Sequence, residues 1–140
     1  RMMENLPPDH RLAIPVSFGH CDPAGIVFYP NFFRWFDRCF HDFMFVRAGG
    51  HAALCERLGS AGIGLMEADA KFRAPVRENQ TLELQMRATE WHRKAVRLDY
   101  AAFVGDRLAL TGYELRGVFV MRDGRMGAGE VAALRAALGL

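Results

Sequence analysis

Two hydrophobic periods divide this chain, and together they leave it few ways to fold. Between residues 31 and 47 the apolar residues recur at helical spacing. With about 100° between successive residues, Phe32, Phe36, Cys39, Phe40, Phe43 and Val46 fall within one arc. Arg34, Arg38, His41 and Asp42 fall opposite, and Asp37 sits at the border beside Phe33 and Met44. Pro30 near the first turn and Gly49-Gly50 after the last are the expected start and stop. Residues 51–58 read as one or two further turns. From Gly62 onward the period drops to two. Strands are expected over 63–76, 81–91, 94–104 and 107–122, with a hairpin turn at Gly105-Asp106 and an end at Asp123-Gly124. An earlier strand spans 11–18, with Leu12, Ile14, Val16 and Phe18 on one side. Pro15 places it at an edge or a bulge. Residues 129–138 read as a short alanine-rich helix, and residues 1–10 as a polar lead-in. The expected fold is α+β, one domain over 1–140, with an antiparallel sheet carrying one dominant helix on a face.

The joint between the first strand and the helix carries the chemistry. It reads Phe18-Gly19-His20-Cys21-Asp22-Pro23-Ala24-Gly25-Ile26-Val27-Phe28-Tyr29-Pro30-Asn31. One acid, Asp22, stands on a glycine-punctuated loop. The following helix start presents unpaired N–H groups and the positive end of the dipole. Such an end can hold a polarised carbonyl oxygen while the acid attacks or activates water. The plainer reading is that Asp22 caps its own turn, as Asp-Pro often does. Gly25 is expected to supply a backbone conformation or a close approach that a side chain would block.

Composition narrows the class further. At 51% apolar and 24% charged the chain is built to bury a core, not to remain disordered. A net charge of +2 does not by itself call for a nucleic-acid partner. Cys21, Cys39 and Cys55 are odd in number and irregular in spacing, against a disulfide scaffold or a zinc site. No metal or cofactor is therefore expected. No apolar run approaches the roughly 20 residues needed to span a bilayer. No basic segment followed by an apolar run marks a signal peptide. The expected location is cytoplasmic, with no membrane partner.

Cys21-Asp22-Pro23-Ala24-Gly25-Ile26-Val27, with Tyr29-Pro30-Asn31, closely resembles a signature of the hotdog-fold 4-hydroxybenzoyl-CoA thioesterase family. Glu90-Trp91-His92-Arg93-Lys94 resembles a second one. The order of elements agrees over nearly the whole chain. The resemblance implies a curved antiparallel sheet wrapped around the long helix. It implies dimers with active sites shared between subunits, commonly paired into tetramers. It implies an acyl-CoA substrate, Asp22 as the catalytic carboxylate and the Tyr29 N–H facing the thioester oxygen. By the same resemblance, Asp37 approaches a phenol hydroxyl from the partner subunit, and the basic part of the segment from Trp91 to Lys94, notably Arg93 and Lys94, lies near the CoA nucleotide. Gly25, Phe28 and Phe32 would then border the acyl group. The chain departs from the family pattern at His20, where an acid is usual. It departs also at Phe28, Phe32 and Phe33, where a tryptophan and more polar residues are.

Several plainer readings stand beside these. Asp37 could pair with Arg34, Arg38 or His41 on its own helix. Arg87, Arg93, Lys94 and Arg97 form the densest basic cluster, either a solvated strand edge or a site for the phosphates of CoA. Trp91 could stack on adenine or belong to the core. The expected activity is hydrolysis of an aromatic acyl-CoA, 4-hydroxybenzoyl or a relative such as benzoyl. The alternatives are a thioesterase for short aliphatic acyl-CoA or acyl-carrier-protein substrates, and a hotdog module that binds acyl-CoA without catalysis.

Overall fold

The computed structural model describes residues 6–140, so the first five residues of the expected lead-in lie outside it. The long helix α1 spans Pro30–Ala48, with proline in its first turn and Gly49 closing it in the left-handed conformation. A short α2, His51–Leu58, follows directly. The strands are β1 His10–Pro15, β2 Gly62–Phe72, β3 Thr81–Trp91, β4 Val96–Val104, β5 Arg107–Arg122 and β6 Arg125–Gly129. A last helix α3 covers Ala132–Ala137. All pairings are antiparallel. The order is β1-β3-β4-β5-β2, and β6 pairs with the far end of β5.

The sheet curls around α1 because that helix has too much apolar circumference for a flat contact. Trp35, Phe36, Cys39, Phe40, Phe43 and Met44 are all buried. They meet Leu82, Leu84 and Met86 of β3, Leu98, Tyr100 and Ala102 of β4, and Ala109 and Leu110 of β5 in one core. The Phe36 ring stacks on Tyr100 at 4.4 Å and 11°. Tyr100 pairs across the strands with Gly112. A Cβ on Gly112 would lie 2.6 Å from the Phe36 ring and 2.7 Å from the Asp69 carbonyl oxygen. The glycine is therefore the seat in the sheet that admits the helix's central ring.

The expected α+β order and the one dominant helix are present, with corrections at the margins. β1 ends at Pro15, and Phe18 stands 78% exposed in a single 3₁₀ turn, Phe18–His20. Pro15 does lie on an edge strand, where its missing N–H costs no ladder bond. β2 stops at Phe72 and β4 begins at Val96, each shorter than expected. Val46 has the right phase but is 64% exposed, whereas Trp35 and Met44 are buried. Phase sets which side of a helix faces the sheet, not how far along its axis the sheet reaches. β6 was not expected, since Met126-Gly127-Ala128-Gly129 lacks alternation and strand-favouring residues. Asp123-Gly124 makes it: both residues have positive φ, the backbone of a tight hairpin. It therefore turns β5 back and does not merely end it. The C-terminal helix consequently starts at Ala132, not at residue 129.

We expect Gly112→Ala to lower unfolding free energy by about 1–3 kcal/mol through overpacking against Phe36. Gly127→Ala, with open space around it, should have a much smaller effect. Urea denaturation of both variants checks the pair, and equal losses would refute the seat.

Candidate active site

The loop from Cys21 to Val27 is a small closed hairpin. Gly25 N–H donates to the Asp22 carbonyl and Asp22 N–H to the Ile26 carbonyl, each at 2.9 Å. Cys21 and Val27 form a bridge. Asp, Pro and Gly stand where a type I turn wants its first, second and fourth residues. Gly25 has φ of 79°, a conformation that a side chain would strain. The hairpin is anchored to the segment before β3, through Val27 N–H to the Val76 carbonyl at 2.8 Å.

A second clamp ties this loop to the start of α1. The His20 carbonyl accepts both Phe28 N–H and the side-chain amide of Asn31, at 2.9 Å each. Asn31 is buried, and its oxygen accepts Arg34 Nη1 at 3.0 Å. The His20 ring is fixed as well. Its Nδ1 accepts Ser17 N–H at 3.0 Å, which places the proton of the neutral ring on Nε2. Its edge meets Trp35 at 5.0 Å.

Asp22 thus stands beside the helix start. One carboxylate oxygen, Oδ1, accepts Ala24 N–H at 2.9 Å. That bond caps the turn, and among the described residues Oδ2 has no hydrogen-bond partner. Tyr29 is the residue before the first helical position. Among the described residues its N–H meets no acceptor. Phe28 and Tyr29 are both about half exposed, their rings 5.6 Å apart. Phe32 is buried, packed on Trp35 and on the exposed Phe72. It belongs to the wall behind the site more than to its surface.

The other expected residues lie elsewhere in the chain. Asp37 is eight residues beyond Tyr29, about 12 Å along the helix. It is partnered on two elements: Oδ1 accepts Arg116 Nη2 of β5 at 2.8 Å, and His41, one turn on along α1, stands 3.6 Å from the same oxygen. Burial holds His41 below its usual range, against the opposing pull of Asp37. Arg93 and Lys94 occupy the tight turn between β3 and β4, closed by His92 N–H to the Ala95 carbonyl at 2.8 Å. They line a cleft of 310 Å³ with Arg122, Glu130, Val118 and Val120. The cleft opens where β4 ends along β5 and β6 takes its place. Arg93 also pairs with Glu130 at 3.1 Å. Of the basic cluster, Arg97 is held by Asp99 and lies over Tyr113, and Arg87 donates to the Leu6 carbonyl. Only Arg93 and Lys94 reach the cleft. Trp91 is half buried, with Arg135 over its ring at 5.3 Å.

Sequence reasoning missed Arg122, Glu130, Arg116 and Glu114. The inward phase of β5 would have flagged the last two as charges on a buried face. Cys39 is fully buried, and burial pushes its thiol up to about 12, so it is no nucleophile. Among the described residues no cluster of three His, Cys, Asp or Glu could hold a metal ion. No helix there is long and apolar enough to cross a membrane.

A curled antiparallel sheet wrapped around one long helix is the hotdog architecture. Residues 16–137 match the model of the thioesterase-like superfamily. The chain is 33% identical over 127 residues to the 4-hydroxybenzoyl-CoA thioesterase of Pseudomonas sp. strain CBS-3, covering 84% of this chain and 88% of that one. A solved structure of 4-hydroxybenzoyl-CoA thioesterase from the same strain superposes with a TM-score of 0.78 at 27% identity, over 91% of this chain and 96% of its own. An aspartate-to-asparagine mutant of 4-hydroxybenzoyl-CoA thioesterase, complexed with 4-hydroxybenzoyl-CoA, matches at the same TM-score and 26% identity, over the same shares of the two chains. The chain belongs to the hotdog-fold 4-hydroxybenzoyl-CoA thioesterase family, within the thioesterase-like superfamily. It is an enzyme of the thioesterase class.

We expect Asn31→Leu to cost about 1 kcal/mol or more of stability, because the half-buried His20 carbonyl loses one of its two donors. Turnover should fall by a larger factor than the fraction unfolded explains. Denaturation curves and thioester hydrolysis on the same preparation check both. Unchanged turnover would show that the clamp serves folding alone.

Proposed function

We propose that this protein hydrolyses an aromatic acyl-CoA, 4-hydroxybenzoyl-CoA or a near relative such as benzoyl-CoA, to the free acid and CoA. The carrying observation is the Asp22 carboxylate with one oxygen uncommitted among the described residues, on a loop clamped at the His20 carbonyl to the helix start where the Tyr29 N–H is unpaired. Asp22 attacks the thioester carbonyl, or activates the water that does. The Tyr29 N–H and the dipole of α1 stabilise the charge that develops on the carbonyl oxygen. CoA leaves as thiolate without strong acid help, since thiol pKa values are near 8.5. Water supplies the hydroxyl that completes the acid. No metal or cofactor takes part.

Two further features support the acyl and carrier ends. Exposed Phe28, Tyr29 and Phe72 provide aromatic surface around the loop, and Gly25 keeps the turn free of a side chain. The cleft at Arg93 and Lys94, joined by Arg122, suits the phosphates of the CoA nucleotide. Trp91 supports that turn from beneath, through its pairing with Val96.

In one chain Asp22 and Tyr29, Asp37 and the Arg93–Lys94 cleft stand on separate elements. A shared site between two copies would reunite them. β2 is an edge strand with Leu65 and Met66 exposed, a surface that fits a second copy. We therefore read the working form as a dimer with shared sites, paired into a tetramer. Three free cysteines suit a reducing, cytoplasmic setting.

Two measurements test this reading. Asp22→Asn should lower kcat for 4-hydroxybenzoyl-CoA by several orders of magnitude, about 10³-fold or more, with the fold kept. Near-normal turnover would exclude Asp22 as the catalyst. Replacing Arg93 and Lys94 by alanine should raise KM more than it lowers kcat, since phosphate contacts are equal in ground and transition states. Added salt should act on the intact enzyme in the same direction. A KM indifferent to both would place the nucleotide elsewhere.

A further inference from the structure

The inner face of β5 carries two charges that the chemistry above leaves unused. Glu114 and Arg116 are 1% and 2% exposed. Arg116 grips Glu114 with two donors, Nε to Oε1 at 3.1 Å and Nη2 to Oε2 at 2.9 Å. The Tyr100 hydroxyl lies 2.8 Å from Glu114 Oε1. Burial and the adjacent Glu114 charge hold that phenol well above its usual range, so it remains a donor. The Arg116 guanidinium is backed by the Phe40 ring at 5.0 Å. It has one contact outside this nest: Nη2 donates to Asp37 Oδ1 at 2.8 Å.

A buried ion pair is a weak source of stability, because desolvation offsets much of the attraction. Its effect here is geometric. Glu114, Tyr100 and Phe40 fix the guanidinium from behind, and the guanidinium fixes one oxygen of Asp37. The Asp37 side chain is 55% exposed, and the other group near that oxygen, His41 at 3.6 Å, is too distant to fix its rotation. With Oδ1 committed inward, Oδ2 is the oxygen offered outward, and an ionised carboxylate can only accept.

We propose that Arg116 is a positioning residue for acyl-group choice, holding Asp37 with one oxygen turned outward to receive a hydroxyl on the substrate ring. This inference rests on the reading of Asp37 as the group that meets that hydroxyl. A carboxylate held this way rejects a ring without the hydroxyl, because it is left unpaired when the pocket closes.

The test is the ratio of kcat/KM for 4-hydroxybenzoyl-CoA to that for benzoyl-CoA. The wild type should show a ratio of about tenfold or more. Asp37→Ala should bring it near one. An unchanged ratio in that variant would overturn the reading of Asp37 itself, and the inference with it. Arg116→Met alone would strand a buried Glu114 charge, so it is combined with Glu114→Gln, whose amide oxygen still accepts from Tyr100. In this double variant the ratio should fall by about fivefold or more, since Asp37 keeps its charge but loses its orientation. A ratio kept at the wild-type level, with both substrates slowed alike, would show that the pair serves only the fold. Asp37→Asn gives an arm with Arg116 intact. Held by Arg116, the amide carbonyl turns inward and the NH₂ outward. 4-Methoxybenzoyl-CoA, which can only accept, should then gain about threefold or more over benzoyl-CoA relative to Asp37→Ala. No gain would mean that Arg116 does not set the side chain's orientation.

Discussion

The structure depends on covering one helix. α1 has aromatic or large apolar side chains over most of its circumference, and water must be kept from all of them. A flat sheet would cover one stripe. The curl of β1, β3, β4 and β5 covers the rest, and its tightness is set where Phe36 lies between Tyr100 and Gly112. The position of α1 in turn fixes the place of its first residues. The loop carrying Asp22 is hung on those residues by the His20 carbonyl, so core packing and site geometry are one problem.

The same helix also organises the polar interior. A side chain on its border, Asp37, meets β5 at a point where the inner face of the sheet has become charged. Apolar packing sets the distance between helix and sheet. Within that gap Arg116 and Glu114 are satisfied by each other, by Tyr100 and by Asp37. The arrangement is rigid because every member is also held by its strand or helix.

Much of this was legible in the sequence. The phase of Phe36, Cys39, Phe40 and Phe43, the alternation after Gly62 and the turn residues at 22–25 and 105–106 follow from local chemistry alone. The loop beside the helix start was legible as a place for a carboxylate. What escaped was of two kinds. β6 has no pattern of its own and exists because Asp123-Gly124 folds it onto β5. The nearer partner of Asp37, Arg116, lies 79 residues away, and a spacing rule on one helix reaches only His41. The alternation of β5 puts Glu114 and Arg116 in the inward phase of Leu110 and Val118, but which groups they meet there depends on the pairing with β4 and the packing of α1. Asp22 illustrates a third case. Turn-capping and catalysis read as rivals in a sequence, but a carboxylate has two oxygens, and among the described residues only one is committed.

The use of main chain at Tyr29 has a consequence for how such a scaffold can change. The N–H offered there belongs to the peptide unit, placed by Pro30, by the clamp on His20 and by the fit of α1 in the sheet. The side chains of Phe28 and Tyr29 point toward solvent and take no part in that placement. Their size and polarity can drift through many substitutions while the donor stays where it is. On the proposed reading of that N–H as the oxyanion donor, diversification at the mouth is uncoupled from the reaction centre, and a descendant can acquire a new substrate without first losing its chemistry.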